Sequence, residues 1–220
     1  MNVYRIFALL LAIGCSWTSA RAETIDVGTS NSGWKASNTA FAQVGYSVGR
    51  HVGRAAPVTA RSYFTFNLAG VNKAVVAAEL LMFNGDLLSQ DPTETIGLYD
   101  VVTPIDELVS TSALQSIFDD LGEGTFYGSN ADFAPGVAAS TIRTFTLNEA
   151  ALAAINAQRG GVFAMGAAMD SINPQSTTSE ITNSAVGFRN STLRLTLIPE
   201  PTALLLAMPA LAALARWRRR

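Results

Sequence analysis

Short runs that alternate apolar and polar residues, each closed by a turn signal, are the feature that most restricts this chain. Ser62–Leu68 (SYFTFNL) is the clearest. Phe64, Phe66 and Leu68 fall on one side of an extended segment, and Tyr63, Thr65 and Asn67 on the other. A period of two is the signature of a strand with distinct faces. Thr192–Ile198 (TLRLTLI) and Ile142–Leu147 (IRTFTL) repeat it. Val75–Phe83 (VVAAELLMF) is more continuously apolar, and its Ala, Glu and Leu content also suits a helix. Asn72 before it and Asn84-Gly85-Asp86 after it bound it closely enough to favour a strand. Thr95–Val102 follows the Asp91-Pro92 turn as another strand. Gly161–Met169 reads as a buried strand with small residues on one face (Ala164, Gly166, Ala168) and bulky ones on the other (Phe163, Met165, Met169). Thr125–Tyr127 and Ser184–Phe188 complete the clear set. Residues 24–60 are rich in Gly, Ser, Thr, Asn and Ala. They read as loop with one or two short strands such as Ala40–Val48.

Two segments have helical spacing instead. In Ser112–Leu121, Leu114, Ile117, Phe118 and Leu121 recur on one face, and Gly122 is the expected stop. In Glu149–Gln158, Asn148 is the N-cap, Leu152 and Ile155 point inward, and Gly160-Gly161 ends the helix. Many short strands with turns between them and no strand–helix alternation predict a mainly β fold. The expected architecture is an antiparallel β-sandwich, jelly-roll-like, with one or two short helices. An N-terminal signal helix and a C-terminal apolar helix flank it.

The ends differ in kind from this body. Near the N-terminus Arg5 precedes an apolar stretch, Ile6–Gly14 (IFALLLAIG), followed by Ala20-Arg21-Ala22. A basic residue, a short apolar core and an A-x-A site form a secretory signal peptide, cleaved to leave Glu23 first. The stretch is short for a membrane span. Ala12-Ile13-Gly14-Cys15 approximates a lipoprotein signal, which is the alternative at this end. Cys15 is the only cysteine. A body without cysteine has no intrachain disulfide, thiolate metal site or cysteine nucleophile.

At the other end, Pro199-Glu200-Pro201 is followed by Thr202–Ala215 (TALLLAMPALAALA) and then Arg216-Trp217-Arg218-Arg219-Arg220. As a helix the apolar run is ~21 Å long, against ~30 Å of hydrocarbon. Pro209 interrupts it. That is marginal for a permanent span but suits a transient stop, with the arginines held on the cytoplasmic side. The expected organisation is therefore a signal peptide over 1–22, an extracellular domain over 23–198 and a sorting tail over 199–220. Between Glu23 and Ile198 the chain carries nine Lys and Arg against sixteen Asp and Glu, a net of −7. Such an acidic body excludes nucleic acid as a partner, because phosphate binding needs a basic surface.

The tail resembles the PEP-CTERM family of sorting signals. The resemblance rests on Pro199, Glu200 and Pro201, the apolar run directly after them, and Arg216, Arg218, Arg219 and Arg220. It covers about the last 23 residues. It implies recognition by an exosortase, a membrane-embedded cysteine transpeptidase, in a Gram-negative bacterium that makes extracellular polysaccharide. Signal peptidase, acting at Ala20 and Ala22, is the other processing enzyme, and the inner membrane is a transient partner of the tail. Arg61–Leu68 (RSYFTFNL) followed by Ala78-Glu79-Leu80 resembles the jelly-roll DNRLRE domains of bacterial surface proteins. The stretch from Leu152-Ala153-Ala154-Ile155-Asn156 through Gly160–Gly166 is similar to one common in β-sandwich PEP-CTERM proteins. These resemblances imply a surface or lectin-like module at the cell envelope, the outer surface or the extracellular matrix.

Chemistry-bearing patterns are sparse. His51, the only histidine, sits beside Arg50 and Arg54 in a Gly-rich stretch and reads first as a loop residue, second as an anion contact. There is no G-x-S-x-G and no zinc-ligand set. Gly122-Glu123-Gly124 with Gly128 is a helix stop and turn, lacking the Lys and following helix of a phosphate loop. Carboxylates cluster at Asp119, Asp120 and Glu123, and at Asp86, Asp91 and Glu94. Both groups lie at turns, where calcium finds loop oxygens. Neither has the spacing of a known calcium motif, so solvated turn acids are the first reading and calcium the second. A glycosidase pair is defined by spatial separation and has no sequence spacing of its own. Trp34, Tyr46, Tyr99 and Tyr127 are the candidate carbohydrate contacts, since sugar sites on sandwiches use exposed aromatics, with core or edge packing the competing role. Trp34, in the polar stretch SNSGWKASN, is the first choice. The expectation is a structural or adhesive module that binds polysaccharide, without catalytic residues. The alternative is a secreted carbohydrate-active enzyme, glycoside hydrolase or lyase.

Overall fold

The alternation at Ser62–Leu68 becomes the centre of the larger sheet. The structure, a computed structural model, describes residues 22–37, 42–44, 46–51, 57–111, 114–184 and 191–198. Strand β4 (Val58–Asn67) has its neighbours on both edges. On one lies β1 (Glu23–Ala36), with Phe66 opposite Thr29 and Ala60 opposite Ala36. On the other lie β3 (Tyr46–His51) along Val58–Ala60 and β10 (Val162–Met169) along Ser62–Asn67. From β10 the sheet continues to β7 (Glu94–Tyr99) and β8 (Phe126–Phe133). From β3 it continues to β11 (Glu180–Ser184) and β6 (Asp86–Leu88). The short β2 (Ala42–Val44) pairs with β1.

A smaller sheet is built from β12 (Thr192–Leu197), β5 (Val75–Phe83) and β9 (Ile142–Thr146), joined to β1 through β12. Every described register is antiparallel. The inner faces meet in one apolar core. Phe64, Phe66, Leu98 and Met165 come from the larger sheet, and Leu80, Met82, Phe145 and Leu195 from the smaller; each is essentially solvent-free. Burying each such side chain contributes about 1.5–3 kcal/mol. The fold is thus mainly β and antiparallel, in a sandwich-like arrangement, as the alternation predicts. Thr24–Leu197 forms one compact unit. The expected terminal helices lie outside the described residues.

Among the described residues there are three helices, where one or two are expected in the body. α1 (Ile105–Leu108), α2 (Gln115–Glu123) and α3 (Glu149–Ala157) follow in chain order. α1 is too short to carry a periodic signal. With α2 it covers the outer face of the larger sheet, where Leu108, Ile117 and Leu121 bury Tyr63 and Ala164. β4 and β10 are therefore buried on both sides. α2 also runs past Gly122, the expected stop, to Glu123. Gly122 instead makes room for a neighbour: a methyl group there would sit 2.8 Å from Arg61 Nε. Arg61 Nη1 donates to the Phe118 and Asp119 carbonyls and to Glu123, and its guanidinium lies 4.5 Å from the Phe118 ring centre. These bonds tie the helix to β4.

α3 begins as its sequence predicts, with Asn148 Oδ1 accepting from the Ala151 amide at 3.1 Å. Near its end Asn156 locks it to β5. Its Oδ1 accepts from the Val75 amide at 2.9 Å, and its Nδ2 donates to the Val75 carbonyl at 2.8 Å. Asn156→Ala leaves both groups of Val75 without these partners. It is expected to cost about 1–3 kcal/mol, read as a lowered melting temperature, whereas substitution of the exposed Arg159 is expected to cost far less.

The largest departure from expectation is in residues 24–60. The one or two short strands expected near Ala40–Val48 are present as β2 and β3, but where loop is expected before them the chain forms the fourteen-residue β1. The inward positions of β1 are Ile25, Val27 and Thr29, only half-buried. With a threonine as the third inward position and Ser30, Asn31 and Ser32 directly after it, the period of two is nearly silent. At the other boundaries Thr95–Val102 shortens to end at Tyr99, and of the strand expected at Ser184–Phe188 only Ser184 is described, as the last residue of β11, the rest lying outside the described residues.

Candidate functional site

The outer face of the larger sheet, beside α2, brings an aromatic pair and a carboxylate together. Tyr99 ends β7 and Phe126 opens β8, in register opposite one another. Their ring centres are 5.8 Å apart at 67°, an edge-to-face contact. Tyr99 folds back along its own strand and donates its hydroxyl to Asp170 Oδ1 at 2.7 Å. It can lie down because Gly97 has no side chain: a methyl group there would fall 2.8 Å from the Tyr99 ring and closer still to Asp170 Oδ2. Partial burial, reinforced by the Asp170 hydrogen bond and charge, pushes the tyrosine pKa up to about 12. The hydroxyl therefore remains a proton donor through the neutral range. Phe126 is 45% exposed. Ser129, opposite Gly97 on β8, is exposed as well.

Of the four expected sugar contacts, Tyr99 is the one whose ring is described at the surface with a polar partner. Tyr127 points the other way. It is 2% exposed, stacks on Phe163 with ring centres 6.1 Å apart, and donates to Asp100 Oδ1 at 2.6 Å. It is a core residue, because its alternate position on β8 faces the opposite sheet. Trp34 lies in β1, opposite Ser62 and Gln43, and not in a loop; it is half-buried. Tyr46 opens β3, and its side chain lies outside the described atoms. His51 closes β3, opposite Val58, where a loop is expected. Phe126 and Asp170 carry no local sequence signal. Only the strand register brings them to Tyr99.

The carboxylates also regroup. Asp120 accepts from the Val102 and Thr103 amides and from the Thr103 hydroxyl, fixing the segment that leads into α1. Asp119 accepts from Gln115, and Glu123 pairs with Arg61 at 3.4 Å. These three, the first calcium candidates, are each directed to a different partner. Asp91, Glu94 and Glu180 instead converge, each offering an oxygen within 4.8 Å of the others. Asp86 lies apart, exposed in β6. Glu94 is fully buried and Glu180 is 3% exposed. The Ser89 hydroxyl donates to Glu94 Oε1 at 2.5 Å, and the Ser171 hydroxyl to Oε2. The Asn173 amide donates to Glu180 Oε2 at 2.7 Å. An all-oxygen set of this kind could hold a hard cation such as calcium. Its hydrogen bonds already tie the β6–β7 and β10–β11 connections to the strands.

A third feature is a recess of about 290 Å³ on the smaller sheet, lined by Val76, Leu147, Leu152, Glu79 and Arg194 among others. Arg194 is held there by a two-pronged pair with Asp26, at 2.9 and 3.1 Å. Ala22 is exposed directly before β1, while Ala20 and the tail residues Pro199, Glu200, Pro201, Arg216, Arg218, Arg219 and Arg220 lie outside the described residues. No helix among the described residues is long and apolar enough to cross a membrane. Comparison with known families finds no family model that matches the chain, and comparison with curated proteins finds no match either.

Proposed function

We propose that this chain is an exported bacterial surface or extracellular-matrix protein, structural or adhesive, that binds polysaccharide and is sorted by an exosortase. The observation that carries the reading is the tail: Pro199-Glu200-Pro201, a short apolar run and four arginines in that order. A short apolar segment with a basic end holds a translocating chain in the inner membrane with its arginines inside, where a membrane enzyme can reach the proline–glutamate–proline segment. The boundaries of the fold support it. β1 begins at Glu23, directly after the A-x-A site, and β12 ends at Leu197, two residues before Pro199. Cuts at both processing points would leave every strand of the described residues intact.

The same reading makes the protein non-enzymatic. Glycoside hydrolysis needs two carboxyl groups flanking a bound sugar. Glu94 and Glu180 are close, but both are buried and already accept hydrogen bonds from the loops around them. Their role here is to staple those loops.

The test is where the protein goes. Replacing Arg216, Arg218, Arg219 and Arg220 together by glutamine should remove most of the surface-exposed, tail-processed protein, read by fractionation and by the mass of the mature chain. An unchanged destination and unchanged processing would overturn the sorting assignment.

A further inference from the structure

We infer that Tyr99, Phe126, Asp170 and Ser129 form a binding subsite for an uncharged pyranose glycan on the outer face of the larger sheet. The inference rests on the polysaccharide-binding part of the function proposed above and assigns it a place and a ligand class. A pyranose offers two chemically different surfaces. Its faces carry C–H groups, and its edge carries hydroxyls. A site for it needs an aromatic surface next to hydrogen-bonding groups that are already held in place. Tyr99 and Phe126 supply the first, fixed against each other edge to face. Asp170 supplies the second. Its Oδ1 is occupied by Tyr99, and its Oδ2 stands over Gly97, beside the tyrosine ring. Ser129 adds a hydroxyl on the same face, across from Gly97.

Size argues for a glycan over a protein partner. A stable protein interface buries roughly 800 Å² on each side, far more than two aromatic side chains offer. Charge selects among glycans. The segment Glu23–Ile198 has a net charge of −7, and the acceptor at the site is itself a carboxylate. A uronic acid polymer would bring like charge against Asp170, which costs binding unless a cation is interposed. The nearby Arg61 is engaged by Glu123 and by the α2 carbonyls.

The full-length purified protein is titrated with neutral hexose oligosaccharides, such as β-glucan and mannan hexamers, and with an alginate hexamer, by calorimetry. The wild type is expected to bind a neutral oligosaccharide and not the alginate. Phe126→Ala should bind about tenfold more weakly, the equivalent of one lost aromatic contact, with only a small fall in melting temperature, because the ring is 45% exposed and its described ring contact is the one with Tyr99. Asp170→Asn should also weaken binding, while a substitution at Glu79 beside the other recess should leave it unaltered. Equal binding by the wild type and both site variants would overturn the site but leave polysaccharide binding intact. Tighter binding of alginate would overturn the ligand class. No binding of any glycan would overturn this inference and the binding function together, with the sorting assignment still to be judged by localisation.

Discussion

Gly166→Val is expected to destabilise the protein by about 3 kcal/mol or more, and Gly166→Ala by only somewhat less. The cause is contact with backbone, which has no rotamer to yield. A methyl group at Gly166 would lie 2.8 Å from the Leu121 carbonyl carbon and closer still to the carbonyl oxygen. α2 must therefore lift from β10. Overpacking in a tight core costs about 1–3 kcal/mol. Here the displaced helix also carries Ile117 and Leu121, which cover Tyr63 and Ala164, so part of that burial is lost too. For a body of this size the melting temperature should fall by roughly 10 °C. Gly70→Ala is the control: nothing lies within 4 Å of a side chain there, and its effect should stay within about 0.5 kcal/mol. A Gly166→Val protein that melts like the wild type would mean that α2 does not dock on this face.

That close approach is partly legible in the amino-acid order alone. Ala164, Gly166 and Ala168 alternate with Phe163, Met165 and Met169, and small residues on one face of a buried strand leave room for something near. Nothing in that alternation says that the neighbour is a helix forty-five residues upstream. Strands and helices whose inward positions are large and apolar announce themselves, as do the Asn148 cap and the alternation in β4, β9 and β12. β1 escapes because Thr29 and the half-buried Ile25 and Val27 bury too little to stand out from Ser and Asn. The site is harder to read, because it depends on register. Tyr99 and Tyr127 look equivalent in sequence, yet one strand position turns the first to the surface and the second into the core. The convergent carboxylates illustrate the same limit. Glu180 reaches Glu94 from a strand 86 positions away, and local spacing groups Asp119, Asp120 and Glu123 instead.

Alkaline pH is expected to unfold this protein through its tyrosines, with Tyr127 dominant. Burial first, then its hydrogen bond to Asp100 and the charge of that carboxylate, raises the Tyr127 pKa well above the usual 10.0. Tyr99 is raised to about 12, burial first and Asp170 second. A group whose pKa is higher in the folded state stabilises fully below its unfolded pKa, and that stability drains as pH rises toward the folded value. The window therefore opens near pH 10. In it a single tyrosine removes up to ~1.4 kcal/mol per pH unit; Tyr99, which is partly solvated, contributes less than Tyr127. Lys35 works in the opposite direction. Its pKa is lowered by burial from the usual 10.5, so its contribution rises with pH and is complete by about that unfolded value. Above that only the decline is left. Urea midpoints measured between about pH 9 and about pH 12 should fall steeply for the wild type. Tyr127→Phe should start lower, because Asp100 loses a donor at a cost of about 1–3 kcal/mol, but fall less steeply. By about pH 12 the wild type has given up roughly as much as the variant lost at the outset, so the two curves should converge there. Parallel curves would show that the Tyr127 hydroxyl ionises as easily inside the sandwich as in water, which its place between Phe163 and Asp100 does not allow.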